Sequence, residues 1–503
     1  MSTSASHHTI VLSDLHLADA QPLDPRRPLW KRFKRADLFI DQSFGLLIDH
    51  LLGTVDGPAE LVLDGDIFDF DSVLTPSPTG KFQLSWLERR RGLAAEEAKS
   101  AWKMEVILAD HHVWAAALRR WLDVGHKIVF VIGNHDLELH WGEVQQVLRR
   151  NFGMTEDPLE RLRFCEFFYV SGQDTTILHG NQYDRYCLCQ DPINPLVSVR
   201  GKPRIRLPFG NVAGKLMLNG MGLFNPHVES SFIKPLGEYL RFFYRYVLRV
   251  QPLLLLTWLW TAIATLLISV GEGLRPALRD PLMLEERFNQ VATRANSVAG
   301  VVRTLRAVEV HSAIFNPWMV ARELWLDRAA LLALVAVLAW QFFTTLNVFA
   351  DVSAWWFFGA LAVLLPPFIF YARTVSSDVD KVERAIHERV PLLARITGVK
   401  RVVMGHTHIA RHEQIEGVEY LNTGTWSPAF DDVECTQPSG QRCICWVRPA
   451  EGLPRQAALH TWDGAALTPL HPGGRDRRRK TVLGKLRRGA KGVLAPLVKE
   501  RHL

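Results

Sequence analysis

Five short segments of the chain carry the residue types that bind metal ions and transfer protons. They are Asp14-x-His16, Gly65-Asp66-x-x-Asp69, Gly133-Asn134-His135-Asp136, His179-Gly180 and Gly405-His406-Thr407-His408. Carboxylate, amide oxygen and imidazole groups are the donors that borderline divalent ions accept. Two such ions about 3.5–4 Å apart can clamp a phosphoryl group and activate a water molecule. Each segment alone is weak evidence, but together the five predict a bimetallic hydrolytic site.

The segments follow short apolar runs that predict β-strands. These runs cover residues 9–12, 60–63, 127–132, 175–178 and 400–404. Between them, as in residues 37–52 and 94–122, apolar residues recur at three- and four-residue spacing, which predicts amphipathic helices. Alternating strands and helices indicate an α/β fold. Loops at strand ends are where such a scaffold presents its chemistry, so all five segments lie where a site can form.

The order and spacing of these segments resemble those of the calcineurin-like metallophosphoesterase family, whose motifs are all intact here. The resemblance covers about residues 9–184 and 399–427. It implies an α/β fold built as a two-sheet αββα sandwich, with metal ligands divided between two ions and one bridge. The first ion would be held by Asp14, His16 and His408, the second by Asn134, His179 and His406, and Asp66 would bridge the two.

The resemblance further implies that His135 contacts the phosphate and protonates the leaving oxygen, while Asp69 orients its imidazole. General chemistry agrees, since a histidine can serve as an acid near neutral pH. A bridging carboxylate offsets the repulsion between two cations, and the neutral Asn134 limits excess negative charge. The expected cofactors are two divalent metal ions, manganese first, with iron and zinc as alternatives. Asp136 and Asp184 lie beside the site and are candidates for supporting the ligands.

Three of the segments bear on the substrate. Ser13-Asp14-Leu15-His16-Leu17, residues 65–69 and His179-Gly180 are similar to the branch that includes the UDP-2,3-diacylglucosamine hydrolases of lipid A synthesis. Those enzymes work at the inner membrane and carry an insertion before their final histidines. They typically have arginine where this chain has His135. The branch therefore implies a lipid-linked phosphate as the substrate class, whereas the histidine departs from the usual pattern of the branch.

Three uncharged apolar runs separate the fourth segment from the fifth. They are residues 251–271, 329–350 and 352–372. A helix needs about 20 apolar residues to cross a bilayer core, so the runs predict a helical, membrane-associated insertion. Because ligands flank the insertion, both flanks must share one side of the membrane, and the chain crosses an even number of times or not at all. The last two runs predict a hairpin with Asp351 at its tip, and the first predicts an interfacial or re-entrant helix. The alternative pairs the first run with one of the other two.

Positive charge is concentrated at the C-terminal end. Residues 475–501 carry a net charge of +9, which leaves −2 for the rest of a chain whose total is +7. This distribution argues against nucleic acid as a partner, and it predicts a basic amphipathic tail drawn to anionic lipid. Six cysteines are too few for a disulfide framework, and no signal peptide opens the sequence. With Arg322, Arg328 and Arg373 beside the hairpin, we expect a membrane-associated protein whose catalytic domain is cytoplasmic.

These patterns predict four parts of the chain. Residues 1–200 and 376–470 form the two parts of a metallophosphoesterase domain, residues 201–375 the apolar insertion, and residues 471–503 the basic tail. The leading prediction is a metal-dependent hydrolase of a lipid-linked phosphomonoester or pyrophosphate at the membrane. One alternative acts on soluble small molecules, as a nucleotide phosphodiesterase or nuclease whose insertion packs as a cap. The other is an inactive scaffold, which would be expected to have lost ligands, whereas none is missing.

Overall fold

The computed structural model describes residues 7–77, 80–157, 160–222, 244, 246, 253–278, 283–374, 381–450 and 453–470. The predicted basic tail, residues 471–503, lies outside the described residues. Within them, two main β-sheets combined with helices confirm the predicted mixed α/β architecture.

The elements are numbered in chain order. The strands are β1 (His8–Leu12), β2 (Ala59–Asp64), β3 (Lys127–Val131), β4 (Leu162–Cys165), β5 (Tyr169–Ser171), β6 (Thr175–Ile177), β7 (Leu196–Val199), β8 (Lys202–Ile205), β9 (Arg401–Met404), β10 (Arg411–Ile415), β11 (Val418–Asn422), β12 (Cys443–Ala450), β13 (Leu453–Trp462) and β14 (Leu467–Leu470). The helices are α1 (Asp41–Thr54), α2 (Trp86–Arg91), α3 (Glu97–Asp110), α4 (His112–Asp123), α5 (Gly142–Asn151), α6 (Phe209–Ala213), α7 (Asn219–Met221), α8 (Leu254–Leu274), α9 (Leu284–Arg294), α10 (Ala299–Ala307), α11 (Pro317–Glu323), α12 (Leu326–Phe349), α13 (Trp355–Thr374) and α14 (Val382–Thr397).

The first sheet has seven strands in the order β14–β13–β12–β1–β2–β3–β4. Strands β1 to β4 run parallel, and β12 pairs antiparallel with β1. The second sheet has five strands in the order β10–β11–β9–β6–β5, of which β11, β9 and β6 are parallel. The five strands predicted from the sequence are β1, β2, β3, β6 and β9, and each is found within one residue of its predicted bounds.

Side chains alternate between the two faces of each strand, and this alternation builds the layers. Ile10 and Leu12 of β1 pack in one core with helices α1, α3, α4 and α5. Val11 points the other way and packs in the core between the sheets, together with Ile177 and Val403 of the second sheet. Helices α9, α10 and α14 cover the outer face of that second sheet. The order of layers is therefore helix, sheet, sheet, helix.

Residues 94–122, predicted as one helical segment, form two helices. Helix α3 ends at Asp110 and α4 begins at His112, with the His111 backbone at φ −105° and ψ 38° between them. The buried His111 ring has Nδ1 2.8 Å from the Asp41 carboxylate and Nε2 2.9 Å from the main-chain oxygen of Ala18. The prediction of one continuous helix is therefore wrong. The apolar spacing continues across the break at His111, whereas the hydrogen bonds made there are with residues far away in sequence.

Three of the described helices, α8, α12 and α13, are long and apolar enough to cross a membrane. Helices α12 and α13 pack antiparallel: Tyr371 near the end of α13 donates to Asp327 Oδ2 near the start of α12 at 2.8 Å, and the Phe357 ring lies 6.2 Å from the Trp340 ring. Asp351 lies in the connection between them. Little of this hairpin is covered, because the most apolar stretch of α12 is 11% buried and that of α13 is 0% buried.

The polar and apolar faces of helix α8 are arranged in the reverse of the order found in a surface helix of a water-soluble protein. The buried residues of α8 are mainly polar, with Thr261, Thr265, Ser269 and Glu272 beside Leu254 and Ala262. Leucines occupy the other face, where Leu256 is 65% exposed and Leu267 is 67% exposed. The polar face packs toward α6, α7 and α11. A helix in water buries its apolar face, so this arrangement marks a surface suited to apolar surroundings.

We expect the hairpin of α12 and α13 to contribute strongly to membrane binding. Replacing residues 330–370 with a short Gly-Ser linker should weaken flotation with lipid vesicles, because it removes most of the uncovered apolar surface. The melting temperature should change little, since the two ends of the hairpin are already joined through Asp327 and Tyr371. Vesicle flotation and thermal denaturation measure the two effects. Undiminished flotation would assign membrane binding to other parts of the chain.

Candidate metal centre

Strands from both sheets end at one edge of the sandwich, and this edge carries all five segments. Strands β1, β2 and β3 of the first sheet lead into the first three, and β6 and β9 of the second sheet lead into the last two. His179 joins the two sheets, because its Nδ1 donates to the main-chain oxygen of Asp64 at 2.9 Å. That hydrogen bond sets the tautomer and leaves Nε2 as the atom able to bind a metal.

The first group that could hold a metal ion contains Asp14, His16 and His408. One candidate ligand atom from each lies within 4.8 Å of the other two. His408 Nε2 is 3.2 Å from Asp14 Oδ1 and 3.2 Å from His16 Nε2. Burial alone would lower the pKa of His408, but the Asp14 carboxylate raises it. The structure thus brings together the three residues predicted to hold one ion.

The second group contains Asp66, His179 and His406, again with candidate ligand atoms within 4.8 Å of one another. His179 Nε2 is 3.0 Å from Asp66 Oδ2, and the main-chain N–H of His135 donates to Asp66 Oδ1 at 2.8 Å. Burial opposes ionisation of Asp66, but His179 and His135 hold its pKa well below the ordinary value. Asn134, also predicted as a ligand, follows β3 at the same edge and is buried.

Asn134 Oδ1 is buried at this edge and has no hydrogen-bond partner within the described part of the chain. Asp14 Oδ1 and His179 Nε2 are also buried, and the ion pairs they form are with other candidate ligands, His408 Nε2 at 3.2 Å and Asp66 Oδ2 at 3.0 Å. Buried polar atoms are almost always satisfied, so atoms of this kind call for a partner that accepts electron pairs. Carboxylate, amide oxygen and imidazole together fit a divalent ion of borderline softness. The protein therefore has His/Asp groups that can hold a metal ion.

His135 and Asp69 meet beside these groups. His135 Nδ1 lies 3.3 Å from Asp69 Oδ1, and its ring centroid lies 5.0 Å from that of His16. The His135 side chain is 23% exposed, whereas Asp14 is fully buried, so His135 is accessible from solvent. Burial would lower the pKa of His135, but the Asp66 and Asp69 carboxylates raise it to about 10. A cation held by Asp66 would oppose that rise.

Backbone strain is concentrated at the predicted ligands. Left-handed φ values between 52° and 67° occur at Asp14, His16, Asp66, His406 and His408. A side-chain-bearing residue in this region costs on the order of 1–3 kcal/mol, and such residues cluster at functional sites. All five are Asp or His, which adopt this region more readily than most side-chain-bearing residues but less readily than glycine. The loops are therefore held in shape by their surroundings.

Two glycines let the loops pack closely. A Cβ on Gly133 would collide with the carboxylate and main-chain nitrogen of Asp66, and a Cβ on Gly405 would collide with Ser13 and Asp14. Neither glycine has a positive φ. What they supply is space, which lets the loop after β3 approach the loop after β2, and the loop after β9 approach the loop after β1 of the other sheet.

Asp184 contacts a predicted ligand, and Asp136 contacts the loops that carry predicted ligands. Asp184 Oδ2 lies 3.1 Å from His406 Nε2, and Asp184, Cys187 and His406 make a further group with candidate ligand atoms within 4.8 Å. Burial would raise the pKa of Asp184, but His406 lowers it. Asp136 accepts main-chain N–H groups from the loops after β3 and β2 at 2.5 and 2.9 Å, which ties these loops together. Burial, reinforced by Asp66, raises the pKa of Asp136 to about 7.

Asn211 of α6 also belongs to the site, although no sequence pattern indicates it. Its side-chain amide donates to Asp71 Oδ2 at 2.6 Å and to the main-chain oxygen of Asn134 at 2.7 Å. Burial raises the pKa of Asp71 to about 6. Asn211 lies 77 residues after Asn134 and contacts a main-chain atom there, so residue types at short spacing could not reveal it. It ties the start of the predicted insertion to a metal-binding loop.

We expect Gly133→Ala to lower the metal content and to destabilise the protein by about 1–3 kcal/mol, the usual cost of overpacking. The added methyl group meets the main chain of Asp66, which cannot rotate aside. Gly57→Ala is the matched control, because a Cβ there meets nothing within 4 Å. Elemental analysis and thermal denaturation compare the two variants. Equal metal content and equal melting temperature would mean that the loops have room for a side chain.

Over its whole length the chain matches no known protein-family profile and no curated protein. The chemistry of the site therefore rests on the five segments and on the distances between their side chains, and the metallophosphoesterase family stays a prediction.

Proposed function

We propose that the chain is a metal-dependent phosphoester hydrolase of the metallophosphoesterase type. The observation that carries this proposal is the meeting of two His/Asp groups at one edge of two stacked sheets. His135, the accessible imidazole, adjoins both groups, because its main-chain N–H binds Asp66 and its ring packs edge-on to that of His16. The proposed metal ligands thus adjoin the proposed proton carrier, whose side chain is accessible to solvent.

In this proposal, seven side chains divide between two ions. Asp14, His16 and His408 would hold the first, Asn134, His179 and His406 would hold the second, and Asp66 would contact both. Two divalent ions, when bound, neutralise charge on the phosphate and lower the pKa of the water that attacks phosphorus. Manganese is proposed first, with iron and zinc as alternatives, because all three accept oxygen and nitrogen ligands.

His135 delivers the proton to the leaving oxygen in this proposal. Asp69 holds its Nδ1 at 3.3 Å, which leaves Nε2 as the atom available to a substrate. An imidazole paired with a carboxylate carries a proton at neutral pH. Asp69 acts through the imidazole as a positioning residue. Asn211 has a related part, because it fixes the main chain of the neighbouring Asn134.

Two observations favour a phosphorylated lipid as the substrate. Helix α8 exposes an apolar face, and the hairpin of α12 and α13 is almost uncovered. Helix α8 also packs against α6, whose Asn211 contacts the Asn134 loop. The short helix α6 therefore lies between the candidate metal centre and α8, the helix with the exposed apolar face. A lipid-linked phosphomonoester or pyrophosphate fits this arrangement better than a soluble nucleotide does.

The same arrangement bears on the side of the membrane that the metal centre occupies. The ligands lie on both sides of the hairpin in sequence, so the hairpin must begin and end on the side of the metal centre. Arg322 and Arg328 lie at the start of the hairpin, where Arg328 Nη1 donates to the main-chain oxygen of Arg322 at 2.9 Å. Arginines beside a membrane helix favour the cytoplasm, so we propose a cytoplasmic metal centre.

Asp66→Ala should abolish turnover and lower the amount of bound metal at both positions, because one carboxylate is proposed to contact both ions. Asp123→Ala is the matched control, since Asp123 is exposed at the end of α4. The full chain is purified in detergent, loaded with Mn²⁺, analysed for metal and assayed with lipid phosphates and nitrophenyl phosphate. Two metals per chain together with normal turnover in the Asp66 variant would contradict the bimetallic assignment.

His135→Gln should retain its metals and lose about 10²–10⁴ in turnover, the usual contribution of a positioned acid. The loss should shrink for nitrophenyl phosphate, whose leaving group needs no protonation. Asp69→Asn should change the rate in the same direction by less, because the imidazole remains. Steady-state kinetics with good and poor leaving groups measure the difference. Equal losses for both would remove His135 from the role of acid.

A further inference from the structure

A cavity of about 570 Å³ lies between the loop after β6, the segment that joins α10 to α11, and helix α14. Its walls are joined by main-chain hydrogen bonds: Val310 N–H donates to the oxygen of Gln182 at 3.2 Å, and Ala313 N–H donates to that of Arg185 at 2.7 Å. Of the described residues that line it, none is a predicted metal ligand. The cavity is therefore a second site, separate from the metal-binding edge.

Two arginines give this cavity its charge. Arg185 and Arg389 both line it, and neither forms an ion pair within the described ranges. Arg389 is held in place, because its Nη1 and Nε donate to the main-chain oxygens of Ala385 and Val308 at 3.0 and 3.3 Å and its guanidinium lies 5.6 Å from the Tyr183 ring centroid. The cavity thus presents two guanidinium groups, of which that of Arg389 is held in place by the main chain.

Two other side chains that line the cavity have polar atoms without a hydrogen bond among the described residues. Ser312 is 7% exposed, and its Oγ has no hydrogen-bond partner among the described residues. Glu309 Oε1 likewise has no hydrogen-bond partner among the described residues. Burial raises the pKa of Glu309 to about 9 against the opposing effect of Arg306, which favours its neutral form. Two guanidinium groups and a hydroxyl group together match a ligand that is negative and rich in acceptor oxygens.

The position of the cavity indicates where that ligand comes from. Phe315 and Met319 line it at the start of α11, which leads directly into the apolar helix α12. Phe315 is 53% exposed and Trp318 is 64% exposed, as aromatic side chains at a membrane interface are. We propose that this cavity binds the phosphate group of an anionic membrane lipid, independently of hydrolysis at the metal centre. Such a site would hold the protein at the level of the lipid headgroups.

The test uses the full chain in a neutral detergent, with metals removed by EDTA so that the metal centre does not compete. Dioctanoyl phosphatidic acid, dioctanoylglycerol and inorganic phosphate are titrated separately by calorimetry. We expect saturable binding of phosphatidic acid and none of dioctanoylglycerol, which lacks the phosphate. Arg185→Gln should weaken binding about tenfold or more, the usual effect of losing a charged hydrogen bond. Ser312→Ala should weaken it less. Arg119→Gln, on α4 in the opposite helix layer, is the matched control and should bind normally.

Thermal denaturation establishes that the variants fold. Arg185 is exposed, so a folded Arg185→Gln protein is expected. Binding of phosphatidic acid that Arg185→Gln and Ser312→Ala leave unchanged would overturn the site. Equal affinity for inorganic phosphate and phosphatidic acid would overturn the lipid assignment and make this a site for free phosphate. Because the metals are absent from this experiment, its failure is distinct from failure of the Asp66 and His135 experiments.

Discussion

Burial of several carboxylates around one small volume is the constraint on which the rest of the structure depends. Asp14, Asp64, Asp66 and Asp136 are each at most 2% exposed. The pKa of Asp64 is raised well above its ordinary value, first by burial and then by neighbouring carboxylates against the effect of His179. Such a cluster is costly unless positive charge and hydrogen bonds compensate it. Imidazoles and main-chain N–H groups supply part of that compensation, and cations would supply the remainder.

The fold meets this constraint by dividing the work between strands and loops. The strands carry mainly apolar side chains, with one face packed on helices and the other on the opposite sheet. The loops beyond the strand ends carry the polar groups in conformations that their own residues disfavour, with left-handed φ at five predicted ligands and close contacts made possible by Gly133 and Gly405. The apolar cores on both sides hold these loops in place. The stability that the cores contribute therefore offsets the strain in the loops.

The parts of the structure that depend on local pattern could be predicted from the sequence. Apolar β-branched runs located five strands, and the chemistry of the residues after them located the site. Asn211 could not be found this way, because its effect depends on a long-range contact with the main chain of Asn134. The break at His111 could not be predicted for the same reason, since the partners of His111, Asp41 and Ala18, are distant in sequence. The reversed polarity of α8 needed the structure, because a sequence does not state which face of a helix is covered.

The location of the insertion between neighbouring strands determines the order in which the protein can be completed during synthesis. Strands β6 and β9 lie side by side, yet the hydrogen bond from Arg401 to Thr175 joins residues 226 positions apart. Contacts of such high sequence separation form late, because a long loop must close first. The ribosome releases both hairpin helices before His406 and His408. A hairpin that inserts into a bilayer during synthesis therefore does so while each His/Asp group still lacks a histidine, and the groups are completed only afterwards.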